Sequence, residues 1–316
     1  MEIYHSLEEL PPIEARATAL GNFDGIHLGH QALIRRTILR AKEEGLTSCV
    51  FTFSNHPRDL LPGKPKKKNI LSNEEKEDLI RDLGVDCLVS IPFTESIKKL
   101  SAEAYVRDMV IGALHSQWIL CGFNHHFGYR ASGDADMLRR LAEIEGAGVT
   151  VLEPFRVEGT VVSSTLIRRL IASGRVDRCP AYLGRYYAIE GDVVQGNRLG
   201  RRIGFPTSNL VIEEDRVTPP DGVYLTCCLY AGKVYPSVTN VGRRPTFGNG
   251  ERNVETHIFD FDRILYGKKI RVEFLQKMRS EKKFSGVEEL QQKVLADMEE
   301  ARNWHAAHPD PRREVR

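Results

Sequence analysis

Residues 17–34 read Ala-Thr-Ala-Leu-Gly-Asn-Phe-Asp-Gly-Ile-His-Leu-Gly-His-Gln-Ala-Leu-Ile, and the fold of the first half reads outward from them. The apolar run Ala17–Leu20 predicts a strand, followed by a glycine turn. Leu33, Ile34, Ile38 and Leu39 then mark an amphipathic helix over Ala32–Glu44. His27 and His30 stand where that helix begins, and a spacing of three puts both imidazoles on one side of its first turn. Gly29 between them is expected to leave room for a ligand to approach the backbone. The free N–H groups and partial positive charge of a helix N-terminus attract an anion. The pattern therefore points to phosphate and to a nucleotide. Two other readings compete: a pair of solvated histidines, or a His-x-x-His zinc site, for which no carboxylate or cysteine follows at metal-ligand spacing.

The same alternation continues. Strands are expected at Ser48–Phe53, Cys87–Ile91, Trp118–Cys121 and Val149–Leu152, and helices at Glu74–Leu83, Ala102–Ile111 and Ala135–Glu145. Short apolar runs alternating with helices imply right-handed βαβ units and a parallel sheet covered on both faces. Ligands of such sheets bind beyond the carboxyl ends of the strands, where the opening motif lies. The second half differs. Tyr186–Val194, Gly222–Tyr230, Lys233–Val241, Val254–Phe261 and Lys269–Leu275 read as strands parted by turn residues, with Ala231-Gly232 as a two-residue hairpin turn. An antiparallel barrel or sandwich is expected, closed by a helix from about Gly286 on which Leu290, Val294 and Met298 form a stripe, with Val287 near it. The tail His305–Arg316 is expected to fray. A helix over Ser164–Ala172 and a short segment around Val176–Leu183 place the domain boundary near 180–186.

The chain has 316 residues, enough for two domains, and 45 basic against 43 acidic residues. A net charge of +2 leaves no whole-chain field to gather nucleic acid. No apolar run approaches the roughly 20 residues needed to span a bilayer, and the acidic start Met-Glu-Ile-Tyr-His-Ser-Leu-Glu-Glu lacks a secretory apolar region. The six cysteines never form Cys-x-x-Cys and read as buried thiols in a reducing cytosol, although neighbours Cys227 and Cys228 alternate faces of a strand and are not both expected in the core. Lys64-Pro65-Lys66-Lys67-Lys68 reads as an exposed loop.

Four further segments carry chemistry. Val161-Val162-Ser163-Ser164-Thr165-Leu166-Ile167-Arg168 ends a β-like run in hydroxyls able to cap a helix, and Arg168 projects from its first turn; together they form an anion clamp. Cys121-Gly122-Phe123-Asn124-His125-His126-Phe127-Gly128 follows a strand, and Asn124 can bond a base, ribose or phosphate. Residues 196–209, Gly-Asn-Arg-Leu-Gly-Arg-Arg-Ile-Gly-Phe-Pro-Thr-Ser-Asn, form a flexible basic loop for polyphosphate without the Gly-Lys-Ser/Thr of a Walker loop. Thr207 and Asn209 share a face if extended and offer a hydroxyl and an amide to Mg²⁺. In Val254-Glu255-Thr256-His257-Ile258, Glu255 and His257 face away from the apolar positions, and Glu255 is a candidate general base. Residues 240–247 read as a second loop over the same mouth, and His56 in Phe51-Thr-Phe-Ser-Asn-His-Pro57 has no assigned role.

Taken together these segments resemble the bacterial bifunctional riboflavin kinase/FMN adenylyltransferases, or FAD synthetases. The resemblance rests on Gly-x-Phe-Asp-Gly-x-His-x-Gly-His at 21–30, Ser-Ser-Thr-x-Ile-Arg at 163–168, Gly-Phe-Pro-Thr-x-Asn at 204–209 and Val-Glu-x-His at 254–257. This chain departs from the family pattern at His125, where Phe is usual, at Asn55, where Pro is frequent, and in the short run Tyr129-Arg-Ala-Ser-Gly-Asp134.

The resemblance implies an α/β chain: a Rossmann-like nucleotidyltransferase domain with a parallel sheet over 1–183, and an antiparallel β-barrel of riboflavin kinase type with a C-terminal helix over 184–316. It implies phosphorylation of riboflavin by ATP, then adenylylation of FMN to FAD with release of pyrophosphate. His27, His30 and Glu255 would be catalytic. Gly21, Asn22, Phe23, Asp24, Gly25, Gly29, Asn124, Ser164, Thr165, Arg168, Gly196, Gly200, Arg201, Gly204, Pro206, Thr207 and Asn209 would bind nucleotide or flavin, Thr207 and Asn209 also holding Mg²⁺. ATP, riboflavin and FMN are the expected partners. FMN and FAD come and go without a permanently bound cofactor, in the cytoplasm, away from nucleic acid and membrane, with the oligomeric state open. Two alternatives stand beside this reading: a riboflavin kinase with an inactive adenylyltransferase half, and a flavin-binding regulator contacting RNA through Lys64–Lys68.

Overall fold

Runs such as Arg16–Leu20 and Cys87–Ile91 are buried along their whole length, and a parallel sheet covered on both faces suits them. In the computed structural model, which describes residues 1–11, 15–60, 63, 67–195, 205–243, 252–282 and 285–315, such a sheet forms the first of two compact units, Met1–Ser164 and Thr165–Arg316. Its strands are β1 (Glu2–Tyr4), β2 (Arg16–Leu20), β3 (Thr47–Phe53), β4 (Cys87–Ile91), β5 (Ser116–Gly122) and β6 (Gly148–Leu152). They lie in the order β1-β4-β3-β2-β5-β6, every pair parallel. β1 is an edge strand that the sequence reading did not contain. Because β3 lies on one side of β2 and β5 on the other, the topological switch point falls between β2 and β5.

Helix α1 (Leu28–Glu44) links β2 to β3 and stops at Gly45, whose φ of 67° only glycine adopts without strain. Helix α2 (Asn73–Asp82) starts on a capping box in which Ser72 and Glu75 satisfy each other's backbone N–H groups. The helix expected over 102–111 follows the short α3 (Glu95–Lys98) and begins as α4 (Ala102–Ala104), but continues as a π-helix, Tyr105–Ala113. Helix α5 (Ala135–Ile144) completes the layers, and Leu20, Phe51, Val89, Val106, Ile119 and Leu138 share one core. A hairpin of β7 (Arg156–Val157) and β8 (Thr160–Val161) leads to α6 (Ser164–Ala172), which matches the expected span.

After α7 (Pro180–Leu183), the second unit is a closed antiparallel barrel. Its strands are β9 (Tyr187–Val194), β10 (Ser208–Val211), β11 (Gly222–Tyr230), β12 (Lys233–Arg243), β13 (Arg252–Ile258) and β14 (Lys269–Ser280), in the order β10-β13-β12-β11-β14-β9. Ala231 and Gly232 join β11 to β12 with φ of 48° and 75°, the double positive φ of a type I′ hairpin. Buried hydroxyls of Ser237, Thr226, Thr239 and Thr256 form a hydrogen-bonded chain across three strands, with contacts of 2.8, 2.8 and 2.9 Å.

Cys227 and Cys228 are both buried, against expectation. Both faces of the strand are covered, because helix α8 (Val287–Ala307) lays Met298, Ala301 and Trp304 over Val223, Leu225 and Cys227. The tail does not fray: His305 and Pro311 are buried, the Tyr186 hydroxyl donates to the Pro311 carbonyl at 3.1 Å, and 311–315 form a 3₁₀ turn. Leu290 and Val294 are only half-buried; the helix is fixed instead by Arg279, whose Nε and Nη2 grip the buried carboxylate of Asp297 at 2.7–3.1 Å. Asp297→Ala removes the buried carboxylate that this guanidinium grips and should lower the urea-unfolding stability of the barrel unit by about 3 kcal/mol; an unchanged midpoint contradicts this role.

Candidate functional site

The loop between β2 and α1 lies at the switch point. Phe23 and Ile26 are buried there at φ of 48° and 37°, a conformation that non-glycine residues keep only when their surroundings enforce it. Five hydrogen bonds do so. The Thr52 hydroxyl donates to the Asn22 carbonyl (3.2 Å), and Ser164 Oγ to the Asp24 carbonyl (2.8 Å). Asp24 Oδ1 accepts the Ile70 and Leu71 amides at 2.9 and 3.3 Å. Gln31 Nε2 donates to the Ile26 carbonyl at 3.0 Å. Gly25 has φ 89°, and a Cβ there would stand 3.0 Å from Ile70.

His27 is the N-cap of α1, its Nδ1 accepting the His30 amide at 3.2 Å. The two imidazoles stack with centroids 3.6 Å apart and planes 16° from parallel, and the Phe23 ring meets His30 edge-on at 5.2 Å. They stand side by side at a helix N-terminus, where an anion is favoured. The space over Gly29 is occupied by the His27 ring, 3.3 Å from where a Cβ would be, so this glycine admits the histidine where a ligand was expected. Gly21 lies against the Phe23 ring.

Across the switch point, Asn124 is exposed just beyond the end of β5. Behind it His125, Phe127 and Tyr105 form a ladder of stacked rings, with centroids 5.7 and 5.2 Å apart. Burial, with a smaller contribution from His126, pushes the His125 imidazole down to about 4, so it stands as a neutral ring at pH 7. Asn55 is also accounted for: its amide bonds both the N–H and the carbonyl of Phe93, at 2.7 and 3.1 Å. His56 Nδ1 accepts the Arg58 amide, and its Nε2 lies 3.2 Å from Lys67 Nζ. Ser164 belongs to this unit; Thr165 and Arg168, on the first turn of α6, belong to the second.

In the barrel, register does the positioning. Asn209 on β10 stands opposite Glu255 on β13, which stands opposite Asn240 on β12. Asn253 Nδ2 donates both to Asn209 Oδ1 (3.0 Å) and to Glu255 Oε1 (2.7 Å), so one buried amide orients the proposed base and the proposed cation ligand. His257 pairs through Nδ1 with the Pro206 carbonyl at 2.8 Å; burial lowers its pKa against that contact. Pro206 and Thr207 line a cleft of about 190 Å³ with Ile258, Phe261, Leu265 and Tyr266. The Thr207 hydroxyl and Asn209 amide are neutral oxygen donors, and no cluster of three His, Cys, Asp or Glu able to hold a metal occurs among the described residues. A hard cation held there takes its balancing charge from phosphate, which fits Mg²⁺ arriving on a nucleotide. Gly196, Gly200, Arg201, Gly204 and residues 244–247 and 64–66 lie outside the described residues.

Two residues escaped the sequence reading. Asn253 shares the strand face of Glu255, so the alternation was the available signal. Lys76 lies on α2, buried, four residues before buried Ile80; a lysine on an apolar helix face was the signal there.

Comparison with known proteins agrees with this division. Residues 11–166 match the family model described as FAD synthetase, and 183–305 the one described as riboflavin kinase. The chain is 36% identical to the bifunctional riboflavin kinase/FMN adenylyltransferase of Bacillus subtilis over 90% of each chain. It is 34% identical to that of Pseudomonas fluorescens over 96% of this chain and 97% of the relative. A solved structure from Streptococcus pneumoniae, titled a macrolide-efflux protein, superimposes with a TM-score of 0.85 at 32% identity, over 96% of this chain and 98% of that one. Among the described residues no helix is long and apolar enough to cross a membrane.

The His125 environment is testable by itself. NMR titration of its imidazole should show no protonation until the pH falls towards about 4; a midpoint at the ordinary histidine value of about 6.5 contradicts the buried, neutral ring.

Proposed function

The chain belongs to the bifunctional riboflavin kinase/FMN adenylyltransferase family, and on that premise we propose which residues carry its two reactions. Riboflavin and ATP give FMN and ADP in the riboflavin kinase region; FMN and ATP give FAD and pyrophosphate in the FAD synthetase region. We place the boundary at 183/184, which the riboflavin kinase match from residue 183 supports, and α6, with Thr165 and Arg168, then serves adenylylation.

In phosphorylation, Glu255 takes the proton of the ribityl 5′-hydroxyl as its oxygen attacks the γ-phosphorus of ATP. Asn253 holds the carboxylate for that step. Thr207 and Asn209 would hold Mg²⁺, which neutralises phosphate charge when bound. The glycine and arginine residues at 196, 200, 201 and 204, with Pro206, belong to the polyphosphate loop. Phosphoryl transfer asks a protein mainly for positioning and charge neutralisation, which suits so sparse a set.

In adenylylation an FMN phosphate oxygen attacks the α-phosphorus of ATP, and the bond to the bridging oxygen of pyrophosphate breaks. FMN supplies the nucleophile, so the protein stabilises charge. The stacked His27 and His30 at the start of α1 support this reading: two imidazoles at the positive end of a helix would stabilise the α-phosphate and leaving pyrophosphate as they gain charge. Gly21–Gly25 and Gly29 shape that corner, Ser164, Thr165 and Arg168 clamp the pyrophosphate end, and Asn124 holds nucleotide or flavin. The flavin is substrate and product, so no resident cofactor is required. Six buried free thiols suit the cytoplasm, and the near-zero net charge argues against an RNA partner.

His30→Ala should slow FAD formation from FMN by on the order of 10²–10³ and leave FMN formation intact; Glu255→Ala should do the reverse. Chromatography of the products from riboflavin or FMN with Mg-ATP reads both. FAD made by His30→Ala at the parent rate overturns the histidine assignment.

A further inference from the structure

We propose that Lys76 is a positioning residue for adenylylation, its buried ammonium locking the loop that delivers His27 and His30. The inference rests on the adenylylation reading above and adds a residue that touches neither the histidines nor the reacting atoms in that reading. Lysines are rarely buried without a partner, yet Lys76 is 6% exposed. Its amine donates to the Phe53 carbonyl at the end of β3, 2.9 Å away. The carboxylates whose field reaches it are those of Asp24 and Glu77.

Asp24 is the point of leverage. Its carboxylate holds the Ile70 and Leu71 amides, and its carbonyl receives Ser164. Two residues earlier, Asn22 is tied to Thr52, next to Phe53. Lys76 therefore joins the β3 end, through a hydrogen bond, to the anchor of the β2–α1 loop, through charge. His27 follows Asp24 by three residues and sets the first turn of α1. With the ammonium neutralised, Asp24 loses the cation that balances it, and the charge link between the β3 end and the loop's anchor is gone. The two imidazoles then leave the geometry that meets the phosphate.

The environment makes this dependence visible. Burial outweighs the pull of Asp24 and Glu77 and lowers the Lys76 amine to about 8. The charged form is present below that value and is lost as pH rises through it. FAD formation then falls on the alkaline side, whereas riboflavin phosphorylation, in the other unit, keeps its own profile.

The test compares the full-length parent with Lys76→Met and Lys76→Arg. Both reactions are followed on the same preparations from about pH 6 to about pH 10, a range that brackets the amine. Lys76→Met should lower kcat for FAD formation by roughly 10- to 100-fold, the cost of misplaced groups, with a smaller change in KM for FMN and an unchanged rate of FMN formation. Lys76→Arg, charged throughout, should keep activity and lose the alkaline fall. Circular dichroism melting reports folding; if Lys76→Met unfolds, Lys76→Arg carries the test. FAD formation by folded Lys76→Met at the parent rate overturns the inference, as does an alkaline fall that persists in Lys76→Arg or is shared by phosphorylation. A parent protein that makes no FAD at any pH removes the adenylylation reading itself, and this inference with it.

Discussion

The adenylylating half depends on a loop that would not hold its shape alone. Phe23 and Ile26 each occupy a left-handed conformation, at a cost of order 1–3 kcal/mol apiece. The sheet offsets this by burying both side chains completely and by tying the backbone at Asn22 and Asp24 to three distant segments. The return is an N-terminus of α1 that begins on a histidine at the switch point, with a second histidine stacked on the first. Strain, capping and function meet in one turn.

The barrel solves the same problem without strain. Cross-strand register sets Asn209, Glu255 and Asn240 in one row, and the Asn253 amide bridges Asn209 and Glu255. The interior alternates apolar groups with a chain of mutually bonded hydroxyls, so no buried hydroxyl in that chain is left to destabilise the wall. The proposed base and cation ligand stand on the other face of β10 and β13. A loop enforced from outside serves one reaction; a pleat serves the other.

Much of this was legible in the chain. Apolar runs such as Cys87–Ile91 have few other structural solutions, and the turn at Ala231-Gly232 names its own geometry. What escaped depends on partners distant in sequence. The three-residue β1 has neither an apolar run nor alternation, and its pairing with β4 lies more than eighty residues away. The π-helix at Tyr105–Ala113 carries the same apolar spacing as an α-helix. Cys227 and Cys228 were not both expected in the core, because α8, which covers the Cys227 face, lies far along the chain. Asp24 read as a ligand group in a motif; its carboxylate is directed at the amides of Ile70 and Leu71, forty-six and forty-seven residues on. Lys76 and Asn253 act through such second partners, which spacing along the chain does not display.

The central claim is that the stacked imidazoles at the start of α1 neutralise the triphosphate being split. Crystals of the full chain with an ATP analogue whose α–β bridge is methylene test it most directly. The account predicts the triphosphate at that helix N-terminus, its oxygens within hydrogen-bond distance of His27 and His30. A triphosphate seated elsewhere in the sheet unit, with both rings facing solvent, would contradict it.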